Sequence, residues 1–104
     1  MDSERLRDER AGEEAADPDR LLPGEDPTSP YPDDADKWIE VYQELLVFKR
    51  RLLGVAEEAL EGLEDKPRRE VIDTDRIVLE AEVKRFERRL EFWEKRRQEL
   101  DRRV

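Results

Sequence analysis

Arginines crowd the stretch from Val83 to Arg103, which reads VKRFERRLEFWEKRRQELDRR. A cluster of basic side chains can neutralise phosphates and is therefore typical of nucleic-acid binding. The stretch also holds five acidic residues beside its nine basic ones, and pairs such as Glu91 and Lys95 have the i to i+4 spacing of helical ion pairs. Because a nucleic-acid surface usually keeps its basic face clear of carboxylates, we interpret the stretch as a solvated helix face. Binding to nucleic acid is the less favoured alternative.

The chain offers few groups for catalysis or metal binding. It contains no cysteine and no histidine in 104 residues, so thiol nucleophiles, disulfides, the usual zinc sites and the commonest general base near pH 7 are all absent. Glu57, Glu61 and Glu64 could share one helix face, but di-metal helical bundles normally add a histidine at Glu-x-x-His spacing. We expect no enzyme activity, no metal, no other cofactor and no small-molecule substrate.

The composition lies near the border between a disordered protein and a long solvated helix. Charged residues make up 49% of the chain, apolar residues make up 36%, and the net charge is −9. The longest apolar run, Leu45–Phe48, is far too short to span a membrane. Acidic residues follow Met1 where a signal peptide would have a basic and then an apolar segment. We expect an acidic cytoplasmic protein that has no membrane partner.

Prolines divide the chain into an arm and a helical part. Five of the six prolines fall between Pro18 and Pro32, where they prevent both a helix and a central strand. The preceding residues include a single isolated large apolar side chain, Leu6, so a helix there would not persist. The sequence predicts a disordered acidic arm over residues 1–32.

The remaining residues, 33–104, predict two helices. An aspartate in the stretch DDADKW is expected to cap the first helix, and the break is expected in a turn near residues 64–74. The second helix starts either at Pro67, since proline suits a first turn, or after Asp73 and Thr74, which are both good caps.

Heptad spacing of apolar residues predicts that these helices form an antiparallel, coiled-coil-like hairpin. The seam of the first helix comprises Trp38, Val41, Leu45, Phe48, Leu52, Val55, Ala59 and Gly62. The seam of the second comprises Arg76, Leu79, Val83, Phe86, Leu90, Trp93, Arg97 and Leu100. When the chain folds back on itself, Trp38 is expected to lie opposite Leu100, and Leu52 opposite Phe86. The predicted fold class is therefore all-α.

A second apolar stripe remains after the seam is assigned. It is predicted to bind a partner through Ile39, Tyr42, Leu46, Leu53, Leu60 and Leu63 of the first helix and Phe92 of the second. Monomeric proteins rarely leave an apolar patch of that size exposed. Two occupants are consistent with the stripe: a second copy of the chain, which gives a homodimeric four-helix bundle, or a helix of another protein. The alternative is that the stripe lies partly under the arm or belongs to a broad core.

These features predict a non-enzymatic protein–protein interaction module. On this reading the helical hairpin binds itself or a partner protein through the second stripe. The alternative is a regulator associated with nucleic acid or with RNA polymerase that uses the Arg-rich C-terminal helix.

Overall fold

Two helices account for most of the chain. The structure, a computed structural model, describes Asp17 and residues 20–103. Helix α1 spans Pro32–Gly62 and helix α2 spans Lys66–Arg102, with residues 63–65 between them. The helices pack antiparallel: an ion pair between Asp36, near the start of α1, and Arg97, near the end of α2, joins them at the end opposite the loop. No strand occurs among the described residues, and the prediction of an all-α helical hairpin is confirmed.

Proline sets the start of α2. Pro67 lies in the first turn, where its missing N–H costs no helical hydrogen bond, so this is the correct one of the two predicted starts. Asp73 and Thr74 lie inside the helix instead of capping it. There the Thr74 hydroxyl donates a hydrogen bond to the carbonyl oxygen of Glu70 at 2.9 Å.

The predicted aspartate cap of α1 is wrong. The helix begins at Pro32 and is preceded by Tyr31, with no side-chain capping hydrogen bond. Asp34 lies in the first turn, and its carboxylate accepts a hydrogen bond from the Ser29 hydroxyl at 2.5 Å. It thereby fixes the entry of the preceding segment, and its negative charge suits the positive end of the helix.

The hydrophobic core is confined to one half of the hairpin. Its members are Ala35, Trp38, Tyr42, Leu46, Val83, Phe86, Trp93 and Leu100. Trp38 stacks on Trp93 with 6.5 Å between ring centroids, and Tyr42 meets Phe86 at 5.7 Å. Residues 32–51 and 83–103 thus form a packed proximal half. Residues 52–82 form a distal half, in which no residue is buried.

The register between the helices differs from the predicted one by about one heptad. Trp38 stacks on Trp93, which comes seven residues before the predicted Leu100, and Phe86 meets Tyr42, which comes ten residues before the predicted Leu52. The short turn explains the difference. Only three residues separate the helices, whereas the predicted pairing requires a longer turn. Each residue of α1 therefore lies opposite a residue that comes earlier in α2 than predicted.

The predicted seam of α1 is correct near the start of the helix, where Trp38 lies in the core and Val41 and Leu45 pack against it, but from Phe48 onward it is rotated toward solvent. Its members Phe48, Leu52 and Val55 are 56%, 38% and 64% exposed. The inner face instead runs from Trp38 to Tyr42 and Leu46 in successive steps of four. A heptad seam alternates steps of three and four residues, and a straight helix drifts by about 20° per heptad from that repeat. Two successive steps of four therefore move the buried stripe from the predicted seam to the positions beside it.

The disordered arm is wrong for residues 20–31, which form two consecutive turns. Pro23 and Gly24 are the central residues of the first turn, whose ends are joined by a hydrogen bond from the N–H of Glu25 to the carbonyl of Leu22 at 3.0 Å. Gly24 has φ 83°, the left-handed conformation that a type II turn requires at this position. Of the predicted arm, residues 1–16, 18 and 19 lie outside the described residues.

Candidate interaction surface

The carboxylate of Glu25 joins the N-terminal segment to both helices. Its side chain is 0% exposed. One oxygen, Oε2, accepts hydrogen bonds from Arg89 Nε at 3.1 Å, Arg89 Nη2 at 2.8 Å and Trp93 Nε1 at 2.7 Å. The other, Oε1, accepts from the Tyr42 hydroxyl at 2.5 Å and from the N–H of Leu22 at 2.9 Å. A single acidic side chain thereby accepts five hydrogen bonds.

These donors also set the ionisation of the cluster. Burial by itself would raise the pKa of Glu25, but the hydrogen bonds from Tyr42, Leu22, Trp93 and Arg89 outweigh burial and hold that pKa below its usual value. Burial raises the pKa of Tyr42, and the neighbouring carboxylate raises it further. Glu25 is therefore ionised and the Tyr42 hydroxyl is protonated at neutral pH, which is the combination that the hydrogen bonds require.

The segment 20–31 covers one side of the proximal half. Leu22 packs against the hydrophobic core, and the carbonyl of Ser29 accepts a hydrogen bond from Arg96 Nη2 at 3.1 Å. Asp26 closes the second turn by accepting hydrogen bonds from the N–H and the hydroxyl of Thr28. The sequence contained a signal for this arrangement, since Leu-Pro-Gly-Glu and Asp-Pro-Thr-Ser are both turn-forming motifs.

Several arginines of the C-terminal helix point into the molecule. Arg89 is held by Glu25, and Arg85 is 5% exposed, with its guanidinium 4.8 Å from the centroid of the Phe86 ring. Burial lowers the pKa of Arg85, and the nearby charge of Arg20 lowers it further. Arginines used in this way contribute to the packing of the hairpin and are not available to contact phosphates.

The predicted partner-binding stripe lies largely between the helices. Tyr42 and Leu46 are only 1% and 3% exposed, so the prediction that they form a free surface is wrong. Ile39 and Phe92 are partly buried against the core. The other three predicted residues are half-buried: Leu53 and Leu60 in α1, and Leu63 in the loop. The rotation of the seam is the physical reason, because it brings this stripe toward α2.

The rotation leaves a different apolar surface exposed. We define the distal face as Leu52, Val55 and Ala59 of the distal half together with Phe48, which precedes them in α1; all four are exposed. Leu52, Val55 and Ala59 also form one wall of a groove of about 570 Å³ between the helices. The groove is lined by Leu52, Val55, Ala56, Ala59, Ile72, Thr74, Asp75, Val78, Leu79 and Glu82. All of these residues belong to α1 or α2, so the segment that covers the proximal half does not line this groove.

Charge also separates the two halves. Residues 52–82 include ten acidic and four basic residues, a net charge of −6, whereas residues 83–103 include nine basic and five acidic, a net charge of +4. The charged residues that line the groove are Asp75 and Glu82. Glu82 is paired with Lys49 of α1 at 3.0 Å. The distal half thus combines exposed apolar side chains with an acidic surround.

The groove contains one hydroxyl, that of Thr74, which donates a hydrogen bond to the carbonyl oxygen of Glu70 in its own helix. Among the described residues, no three acidic side chains converge as a metal site would require. Within the same part of the chain, neither helix is long and apolar enough to cross a membrane.

Comparison with protein-family models, with curated proteins and with solved structures found no match to this chain.

Proposed function

We propose that this chain is a non-enzymatic protein–protein interaction module that binds a protein partner through the distal face. The observation that carries the proposal is the exposure of large apolar side chains along one face of α1, above all Phe48 and Val55, beside an apolar groove. Burying one such side chain contributes about 1.5–3 kcal/mol. The complex with a partner that covers the face is therefore stabilised by burial of apolar surface that stays exposed in the hairpin alone.

The shape of the molecule supports the same proposal. Its shortest dimension is 15 Å, against 59 Å for the longest. The helices therefore form a thin layer. It presents two broad sides, and the turns of residues 20–31 cover one of them only in the proximal half.

A nucleic-acid-associated regulator remains a prediction with less support. Arg85 and Arg89 of the Arg-rich helix are buried, and Arg96 and Arg97 contact Ser29 and Asp36. A sequence-independent nucleic-acid site needs accessible basic side chains whose binding weakens steeply with salt. The interaction module requires none of these arginines to be free.

Site-specific photo-crosslinking tests the proposal. A photoreactive residue in place of Val55 is expected to form adducts with a protein, either a second copy or a foreign partner, because Val55 is 64% exposed at the centre of the distal face. The matched control carries the same residue in place of Gln98, which is exposed on α2. It is expected to form few adducts.

Both labelled proteins are examined at high concentration in purified form and again in cell lysate. Adducts of equal yield at positions 55 and 98, or no adducts at position 55 under either condition, would overturn the proposed function. A variant with Phe48→Ser and Leu52→Ser provides a second measurement. It should keep its helical circular dichroism, since both side chains are exposed, and lose the adducts at position 55.

A further inference from the structure

We infer that the partner of the distal face is a second copy of this chain, bound so that the two α1 helices run antiparallel about a two-fold axis near Leu53 and Gly54. The inference rests on the proposed function and adds the identity of the partner. A two-fold pair brings one surface against itself, so the surface must be self-complementary in both size and charge. Both properties can be examined on the residues of α1.

The sizes of the side chains match in this arrangement. The distal face has the spacing of a heptad seam, with steps of four, three and four from Phe48 to Ala59. When the face is reversed upon itself, Phe48 of one copy lies opposite Ala59 of the other, and Leu52 lies opposite Val55. The largest side chain thus meets the smallest, as interdigitation requires. The two medium-sized residues meet each other across the axis.

The charges beside the face also match. Arg51 and Glu58 are seven residues apart and therefore lie on the same flank of the face. Both are exposed, and neither side chain makes an ion pair or hydrogen bond within the described part of the chain. In the antiparallel pair, Arg51 of each copy lies beside Glu58 of the other, which gives two symmetric ion pairs.

The relative direction of the two helices follows from the same pair of residues. Lys49 and Arg50 already form ion pairs with Glu82 and Glu87 of α2, so Arg51 is the basic residue of this segment that can contact a second copy. A parallel pair would place Arg51 at the level of Arg51 of the other copy and Glu58 at the level of Glu58, and repulsion at close range disfavours it.

Charge reversal provides the decisive experiment, with the purified full-length chain as the probe. The dissociation constant of the dimer is measured by sedimentation equilibrium for the parent, for Arg51→Glu, for Glu58→Arg and for the double variant. Each single reversal replaces two attractive contacts with two repulsive ones and is expected to weaken the dimer about tenfold. The double variant restores opposite charges across the axis and should return to within about threefold of the parent.

Two control variants carry the same changes of charge far from the face. Arg88→Glu and Glu94→Arg are on exposed positions of α2 and should leave the dissociation constant nearly unchanged. Equal weakening by these controls would mean that only net charge matters and would overturn the inference, as would a double variant no tighter than the singles. Circular dichroism of each variant verifies that the hairpin stays folded.

Engineered cysteines test the register independently, since the chain has no cysteine of its own. Phe48→Cys combined with Ala59→Cys should oxidise to a covalent dimer. Either change alone should not, because each new cysteine then lies about 16 Å from its symmetry mate, beyond the reach of a disulfide. Ready oxidation of either single variant would overturn the proposed register.

The two proposals can fail separately. If the parent chain is monomeric at about 1 mM while position 55 still forms adducts with a foreign protein, the second copy is overturned and the proposed function stands. If the parent is monomeric and position 55 forms no adducts at all, both are overturned.

Discussion

Replacing Glu25 by glutamine should detach residues 20–31 from the hairpin and lower the stability of the whole domain. The substitution preserves the size of the side chain but removes its charge. Arg89 then loses its ion-pair partner while its side chain is only 10% exposed. The new amide NH₂ group is a donor, so it must face at least one of the donors that now point at the carboxylate, which are Tyr42, Trp93, Arg89 and the N–H of Leu22.

The expected loss can be bounded from this geometry. Breaking one partner of a buried ion pair typically costs about 3–5 kcal/mol, because the remaining charge is left without compensation. Residues 20–31 connect to the hairpin at one end only, so they can detach and let water reach Arg89, which places the loss near the lower limit. A change of about 3 kcal/mol corresponds to a fall in the melting temperature of roughly 12–24 °C for a domain of this size.

Thermal and urea denaturation, followed by helical circular dichroism and by tryptophan fluorescence, measure this loss. Fluorescence is informative because Trp93 is fully buried and donates to Glu25. The matched control, Asp26→Asn, alters the neighbouring exposed carboxylate and should leave the transition nearly unchanged. If Glu25→Gln melts within about 1 kcal/mol of the parent, Glu25 does not hold the segment in place.

The same contacts predict a dependence on pH. Hydrogen bonding holds the pKa of Glu25 below the 4.5 of an unperturbed glutamate. A carboxyl group whose pKa is lower in the folded state contributes stability above its unfolded pKa, and this contribution disappears as the pH falls through the folded value. The difference in unfolding free energy between the parent and Glu25→Gln should therefore be largest near neutral pH and should shrink below about pH 4.5. A difference that stays constant down to pH 2 would contradict this assignment.

Four further substitutions probe other parts of the hairpin by urea denaturation. Leu46→Ala should cost about 2–5 kcal/mol because Leu46 is buried, whereas Leu52→Ala should cost less than about 1 kcal/mol in the monomer; equal losses would contradict the rotated inner face. Tyr42→Phe should cost about 1–2 kcal/mol, since it removes one buried hydrogen bond to Glu25; no change would contradict that bond. Arg85→Met should be neutral or stabilising, because two buried nitrogens of Arg85 have no hydrogen-bond partner in the described part of the chain; a loss above about 1 kcal/mol would indicate that stacking on Phe86 outweighs desolvation.

The helical hairpin could be predicted because its determinants are local. Helical periodicity of apolar residues, together with Pro67 after a polar loop, is enough to define two helices and the turn between them. Register and rotation are set by finer quantities. A shift of a few residues in the centre of the turn moves the partner of every residue by twice as many, which here is about a heptad. A single additional four-residue step in the buried stripe exchanges the inner face with the stripe beside it. Heptad counting alone could not distinguish the two stripes of α1.

The docking of residues 20–31 could be predicted only in part. The Pro-Gly pair at positions 23 and 24 is a local signal for a turn, and it is correct. The partners of Glu25 are distant in the sequence: Arg89 and Trp93 follow it by 64 and 68 positions. Nothing in the proline-rich segment distinguishes Glu25 from its acidic neighbours. Its role depends on the folded hairpin, which brings a guanidinium, an indole N–H and a phenol hydroxyl close together.

Residues 20–31 cover one side of the proximal half and leave the distal half uncovered, and this difference affects where a partner can bind. In the proximal half, residues 20–31 cover one side of the aromatic core and Glu25 holds Arg89, so a protein that docked on that side would first have to displace this segment and expose the charge of Arg89. In the distal half, apolar side chains are exposed and no buried residue holds the helices together. Association at the distal face therefore needs no prior rearrangement, and it also adds contacts where the hairpin itself has fewest. Binding and stability should accordingly be coupled at that end: a partner on the distal face should slow amide exchange in residues 52–82 more than in the proximal half, where the core already protects the backbone.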